Sequence, residues 1–343
     1  HNFEWLFIKE KQNASIEEQK EIAITSFVDK VKKYTEIKEL TPEIINELID
    51  KNVNFIDTAR AYTISEEYIG NAIEGKREKF FIATKSMARD YESMKQDIEI
   101  SLKNLKTDYI DLYQIHNLKP EEYKTIFDEN KAYKALLEAK EEGKIKYIGI
   151  TSHSLETIEK SIEDEKFSTI QFPYNIIEDQ ADEVFKKANK KDIGIIVMKP
   201  LAGGAIDDAK LAIKYILSKD YIDVVIPGME SIEQVRENVS VLQDTNITKD
   251  DELKIQEIRN IMGKRFCRRC EYCLPCPLKI NIPQNFLLEG YYARYNLKDW
   301  AKERYKSLEV KASACVECGL CETKCPYELP IREMLKEVSS KLG

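Results

Sequence analysis

The sequence predicts an α/β chain: a (β/α)8 TIM barrel over residues 1–262, then a small, mainly helical, cysteine-rich domain over 263–343. Three observations predict it. Short β-branched apolar runs alternate eight times with amphipathic stretches over about 240 residues, the length and order of such a barrel. No G-x-G-x-x-G follows the first run, so the phosphate loop of the alternative, a doubly wound open sheet, is missing. All eight cysteines fall after residue 266, which places the boundary.

The strand candidates are, in order, "EIAITSF" (21–27), "VNFID" (53–57), "KFFIAT" (79–84), "YIDLYQI" (109–115), "IKYIGI" (145–150), "STIQF" (168–172), "DIGIIV" (192–197) and "IDVVI" (222–226). In "TPEIINELIDK", Thr41 is the N-cap and Pro42 the first helical residue, with Ile44, Ile45, Leu48 and Ile49 on one face. "YKALLEAKEEGK" ends at Gly143, a helix C-cap. The eighth barrel helix falls near 231–240, and "KDDELKIQEIRNIM" (249–262) forms the next. Its length of ~21 Å matches the barrel's height, so an antiparallel course returns the chain to the catalytic rim. The cysteine-rich domain would then wall the substrate pocket. Between the cysteine runs, residues 286–313 carry aromatic and charged residues at helical spacing. They predict two short helices, with an aromatic ligand box as the alternative.

Composition sets limits. With 43% hydrophobic and 33% charged residues the chain reads as globular, and a net charge of −8 without a basic stripe argues against nucleic acid. No apolar run approaches the ~18 residues of a membrane span, and "HNFEWLFIKEKQ" lacks a signal-peptide layout. The expectation is a cytoplasmic protein without a membrane partner.

Cys315, Cys318, Cys321 and Cys325, followed by Pro326, keep the C-x2-C-x2-C-x3-C-P spacing that bacterial ferredoxins use for [4Fe–4S] clusters. Cys267, Cys270, Cys273 and Cys276, followed by Pro277, repeat it with one residue fewer. Three thiolates at this spacing wrap three irons of a cubane, and in two-cluster ferredoxins the fourth comes from the other run. We therefore expect a ferredoxin-like domain with two [4Fe–4S] clusters. One would use Cys267, Cys270, Cys273 and Cys325, the other Cys276, Cys315, Cys318 and Cys321. A disulfide framework suits a cytosolic chain poorly, and structural zinc pairs two C-x2-C hooks rather than triplets.

Barrel chemistry sits at the C-terminal ends of strands. Asp57 closes the second strand, Lys85 follows the third, His116 follows the fourth, and Tyr62 lies in the loop after Asp57. A plain barrel salt bridge would explain Asp57 and Lys85 but neither Tyr62 nor His116.

The segments "NFIDTARAYTISEEYIGNAI", "FIATKS", "DLYQIHN", "GKIKYIGITSHS", "IQFPYN", "VMKPLAGG" and "IPGMESIEQVREN" resemble those of the aldo-keto reductases, in that family's order. With its cysteine tail the chain is similar to the iron–sulfur branch. The resemblance implies a catalytic tetrad of Asp57, Tyr62, Lys85 and His116, an NADP(H) or NAD(H) coenzyme, and a small-molecule carbonyl substrate. In that reading Tyr62 is the general acid, Lys85 lowers its pKa, Asp57 fixes Lys85, and His116 orients the carbonyl oxygen. It also implies coenzyme contacts from Ser152, His153 and Gln171 at the nicotinamide, and from Lys199, Pro200, Leu201 and Gly203 along the pyrophosphate. Gly228, Ser231, Gln234, Glu237 and Asn238 would hold the adenosine end.

There are departures from the family pattern. Met198 stands where many members stack an aromatic residue, and the first strand lacks the usual glycines. Glu230 and Ser231 occupy ground where NADP-binding members often carry a basic residue, with Arg236 as a compensating charge. A nicotinamide delivers two electrons and a cluster takes one, so the usual mediator is a flavin. No flavin motif is present, although barrels hold flavin phosphate without a linear signature. The clusters would wire the enzyme to a ferredoxin-like partner, or serve structure or oxygen sensing. Two functions follow: a carbonyl reductase, or an electron-transfer or scaffold subunit whose barrel does not turn over.

Overall fold

The computed structural model describes residues 21–22, 24–25, 42–62, 64–229, 231–294 and 297–343. Thr41 and Glu230 lie outside them. The strands are β1 (Glu21–Ile22), β2 (Ile24–Thr25), β3 (Phe55–Asp57), β4 (Phe81–Ser86) and β5 (Ile110–Ile115), then β6 (Ile145–Thr151), β7 (Thr169–Pro173), β8 (Gly194–Met198) and β9 (Val224–Ile226). All pair in parallel, in the order β1-β9-β8-β7-β6-β5-β4-β3-β2. β1 pairs with the last strand, β2 pairs with β3, and the two lie one residue apart in the chain. The row of strands therefore comes back on itself as a barrel. The predicted strands from residue 53 onward are all present, starting up to two residues later than their apolar runs suggest.

Alternation along each strand divides the barrel into two environments. Phe55, Ala83, Leu112, Ile196, Val224 and Ile226 form an apolar cluster inside the cylinder. Two residues on, the same parity yields Asp57, Lys85 and Gln114 at its C-terminal end. The interior is thus apolar at depth and polar at the rim. Gly149 is required there: an added β-carbon would lie 2.3 Å from Thr169 Oγ1 and 3.0 Å from both Gln114 and Leu112.

The outer ring includes α1 (Pro42–Asp50), α2 (Ser65–Ala72), α3 (Tyr91–Asn104), α4 (Pro120–Tyr123) and α5 (Ala132–Glu141), then α6 (Leu155–Asp164), α7 (Asp182–Lys190), α8 (Ala209–Leu217) and α9 (Ile232–Ser240). Ile44, Ile45 and Leu48 of α1 are buried in the shared outer core. Gly143 follows α5 at φ +76°, the left-handed turn that ends a helix. Asp90, Ser154, Asp208 and Thr248 cap the helices that follow them.

Helix α10 (Lys249–Met262) carries the chain to a second packed body. That body contains α11 (Ile282–Ala293), α12 (Lys298–Lys306), α13 (Leu320–Thr323) and α14 (Ile331–Leu342). Its own core comprises residues such as Ile280, Leu288, Tyr305, Leu335 and Val338. Phe266 instead belongs to the barrel's core, so the chain stays attached to the barrel up to the first cysteine.

Two arginines hold the bodies together at the loop after β7. Arg259 donates to Ile176 O at 2.9 Å and pairs with Asp179 at 2.6 Å. Arg268 donates to Ile177 O at 2.8 Å while its guanidinium covers the ring of Tyr327 at 3.9 Å. Among the described residues no helix is long and apolar enough to cross a membrane.

Candidate active site

The rim is built around one buried ion pair. Lys85, near the end of β4, places Nζ 2.5 Å from Asp57 Oδ2 and donates to Thr58 O at 2.7 Å. Both side chains are almost fully buried. Gln114 donates to Gln171 Oε1 at 2.9 Å and to Asp57 Oδ1 at 3.4 Å. Burial draws the Lys85 ammonium below its ordinary value, and Asp57 opposes that draw. The Asp57 carboxyl is raised by the same burial, with Lys85, Gln171 and Gln114 opposing.

Tyr62 lies over this pair. The Lys85 ammonium is 5.3 Å from its ring centroid, and the His116 ring stands edge-on to it at 6.0 Å and 90°. The structure thus brings the four predicted residues together. Burial raises the Tyr62 hydroxyl above the usual tyrosine value, and the nearby Asp57 and Tyr291 add to the rise.

A cavity of about 950 Å³ opens between the rim and the C-terminal body. Of the predicted coenzyme contacts, Ser152, His153, Lys199, Pro200, Leu201, Gly203, Gly228 and Gln234 line it. Four do not. Gln171 is buried within the barrel, Ser231 caps α9, Glu237 is exposed, and Asn238 is buried. Ser152 Oγ donates to Leu118 O at 2.7 Å, so its hydrogen already has an acceptor. Lys199, Ala202, Gly203 and Gly204 all have positive φ, a run of left-handed residues at the end of β8. Such backbone can turn successive N–H groups toward one point, the geometry of an anion cradle. Arg236, offered above as a compensating charge, is held by Glu47 of α1 through bonds of 2.8 and 3.0 Å.

None of the eight cysteines is in a disulfide. Cys276, Cys315, Cys318 and Cys321 line one small hollow, together with Cys273. Cys267 and Cys270 instead face the large cavity. Burial pushes the Cys267 thiol up to about 11, with neighbouring Cys270 and Cys325 adding to the rise. Cys325 also acts on Cys270, which brings the last cysteine of the second run to the first. Among the described residues no three His, Cys, Asp or Glu converge tightly enough for a single metal ion. A cubane asks for something else, because its four thiolates bind four separate irons.

Several contributors were not singled out in the sequence. Asn175 is fully buried and donates to Glu178 Oε2 at 2.9 Å and to Lys199 O at 3.0 Å, tying the β7 loop to the cradle. Gln114 had a signal, since it precedes His116 by two and shares the interior parity of Leu112. Tyr291 lies in the helical aromatic stretch but bears on the catalytic rim rather than only on its own helices.

Comparison with known proteins agrees with this fold. The model of the Aldo/keto reductase family matches residues 33–211, just over half of the chain, and that of the 4Fe-4S dicluster domain matches 266–330. Uncharacterized oxidoreductase YqkF of Bacillus subtilis is 25% identical over 262 residues, covering 61% of this chain and 84% of its own length. L-galactose dehydrogenase of Arabidopsis thaliana is 24% identical over 265 residues, covering 64% and 82%. An aldo-keto reductase of Bacillus halodurans superposes with a TM-score of 0.58 at 24% identity, covering 70% of this chain and 91% of that one. One from Klebsiella pneumoniae, solved in complex with NADPH, gives 0.59 at 20%, covering 72% and 93%. A barrel with this rim and a tail matching the dicluster model place the chain in the aldo/keto reductase family of oxidoreductases, with a 4Fe-4S domain at its C-terminal end.

Proposed function

We propose that the chain reduces the carbonyl of an aldehyde or ketone with NADPH or NADH, Tyr62 acting as the general acid. In this reading residues 1–262 are the catalytic barrel and 263–343 a domain holding two [4Fe–4S] clusters. One observation carries it: the buried Lys85–Asp57 pair lies under the ring of Tyr62, with His116 edge-on beside it.

When bound, the reduced nicotinamide supplies the hydride. The chain's own residues do the rest. His116 donates a hydrogen bond that orients the carbonyl oxygen, and Tyr62 delivers the proton that oxygen needs as charge builds on it. An alkoxide is a far stronger base than a phenolate, so a tyrosine with a raised pKa still gives up its proton downhill. The same raised value keeps Tyr62 protonated between turnovers. Lys85 and Asp57 neutralise each other and serve as a rigid floor. The run from Lys199 to Gly204 fits a pyrophosphate, since its left-handed residues line the cavity wall. The clusters, when bound, supply one-electron transfer. Cys276 beside the second run and Cys325 beside the first support the exchanged ligand sets.

One observation favours the second reading, an electron-transfer or scaffold subunit. Ser152 and Gln171, the expected nicotinamide holders, are engaged within the protein.

The test uses anaerobically purified full-length protein, with nicotinamide oxidation followed against a panel of aldehydes and ketones. Turnover that Tyr62→Phe abolishes, with coenzyme affinity retained, is the expected result. Turnover that survives this change would remove the tetrad assignment, and absence of nicotinamide binding would favour the scaffold.

A further inference from the structure

The two cysteine runs fold into matching loops. The second residue after the leading cysteine is left-handed in both, Arg269 at φ +56° and Glu317 at φ +56°. So is the residue after the next cysteine, Glu271 at +66° and Gly319 at +79°. One backbone slot beside the leading cysteine thus holds a cation in the first loop and a carboxylate in the second. The contrast extends along the runs, with Arg268, Arg269 and Glu271 in the first and Glu317, Glu322 and Lys324 in the second. Arg269 lines the large cavity together with Cys267, Cys270 and Glu271. Its backbone N–H donates to the Cys267 sulfur, and its charge favours that thiolate. Arg268, whose guanidinium covers the Tyr327 ring, acts likewise on Cys270. In the second loop α14 pairs Lys336 with Glu317 and Arg332 with Glu322, yet Glu322 still opposes charge on Cys321.

An added electron makes a cluster more negative, so a fixed positive charge nearby raises its reduction potential. Burial of Cys267 opposes that added charge, and Arg269 offsets the burial. We propose that Arg269 sets the potential of the cluster held by Cys267, Cys270, Cys273 and Cys325, raising it above that of the cluster held by Cys276, Cys315, Cys318 and Cys321, so that the first electron to enter comes to rest at the cavity wall. That electron comes from an external one-electron donor. No bond forms or breaks, and the charge of the receiving site falls by one. Cys318 is exposed, which makes the second set accessible to such a donor. The inference rests on the two-cluster reading of residues 263–343, and not on carbonyl reduction.

The experiment is a redox titration of the full-length, anaerobically purified protein followed by electron paramagnetic resonance, with iron content measured on the same samples. Cys325→Ala and Cys276→Ala identify which signal belongs to which set. In the unaltered protein the signal lost in Cys325→Ala should appear first as the potential is lowered. At that signal's midpoint, Arg269→Gln should lower the ratio of reduced to oxidised site by about 10-fold, which is ~59 mV for one electron. The other signal belongs to cysteines that line a separate hollow, and should change by less than about 3-fold. Arg269→Lys keeps the charge and should recover most of the shift. An arginine stays charged at every working pH, so the shift in Arg269→Gln should not vary with pH.

An unaltered protein in which the other signal is reduced first overturns the proposal. Equal shifts of both signals, or no shift in Arg269→Gln, also overturn it. Where Arg269→Gln loses iron, the order of the two signals in the unaltered protein decides. If iron content and signals show one cluster per chain whose midpoint follows Arg269, the two-cluster reading fails and the charge effect stands. If two clusters are present and neither follows Arg269, only the proposal fails.

Discussion

The ammonium of Lys85 lies 2.5 Å from the carboxylate of Asp57, and both are sealed from solvent beneath the ring of Tyr62. Removing one partner leaves an uncompensated group in the barrel. Lys85→Met should therefore cost about 3–5 kcal/mol of stability in urea unfolding, and replacing both residues by apolar ones should recover part of that. A single substitution with no measurable cost would show that the pair is not buried as described.

The direction of the Tyr62 shift sets a pH dependence. Burial raises its pKa, so its contribution to stability is complete below the unfolded value near ~10 and is lost as pH rises through the folded value. Its protonated form, the acid for reduction, should persist through neutrality and beyond. Reduction should show no loss from Tyr62 until above the ordinary tyrosine range, while the reverse oxidation climbs with pH toward the same limit. A reduction profile whose Tyr62-dependent limb falls near neutrality would contradict this.

The exchanged cysteine sets can be separated by iron content. Cys276→Ala should disturb the cluster of Cys315, Cys318 and Cys321, and Cys325→Ala that of Cys267 and Cys270. Among the described residues, Cys267 and Cys270 of the second set line the large cavity. Electron paramagnetic resonance of the two variants should lose different signals. Loss of the same signal in both would break the assignment.

Arg268 joins the bodies through two bonds to Ile177 O, at 2.8 and 3.2 Å, and through the Tyr327 ring. Arg268→Ala should leave the barrel folded but loosen the roof. Hydrogen exchange should speed up over residues 174–179, and substrate KM should rise more than kcat falls. Unchanged exchange in that loop would show that Arg259 alone carries the attachment.

Gly290 lies within α11, where alanine is favoured over glycine by up to ~1 kcal/mol. Gly290→Ala should therefore hold or raise the melting temperature, with the Arg294 guanidinium moving aside for the added β-carbon. A fall would mean that the β-carbon disrupts more than the flexible end of Arg294.

The amino-acid sequence by itself determined what depends on neighbours along the chain. Strand alternation, the Gly143 end of α5, the order of Asp57, Tyr62, Lys85 and His116, and the cysteine spacing are all local patterns. Each is set by backbone geometry over a few residues. What tertiary structure decided depends on residues distant in sequence and on burial, which no local window contains. The net upward shift of Tyr62 comes first from burial, which exists only once the rim is enclosed. Arg236 meets Glu47, 189 residues away in the chain, only through folding. The approach of α11 to Tyr62 likewise required the course of α10 and the grip of Arg259 and Arg268 on one barrel loop. Coulomb interaction and burial act through space, so the fields at this rim exist only once the chain has closed around it.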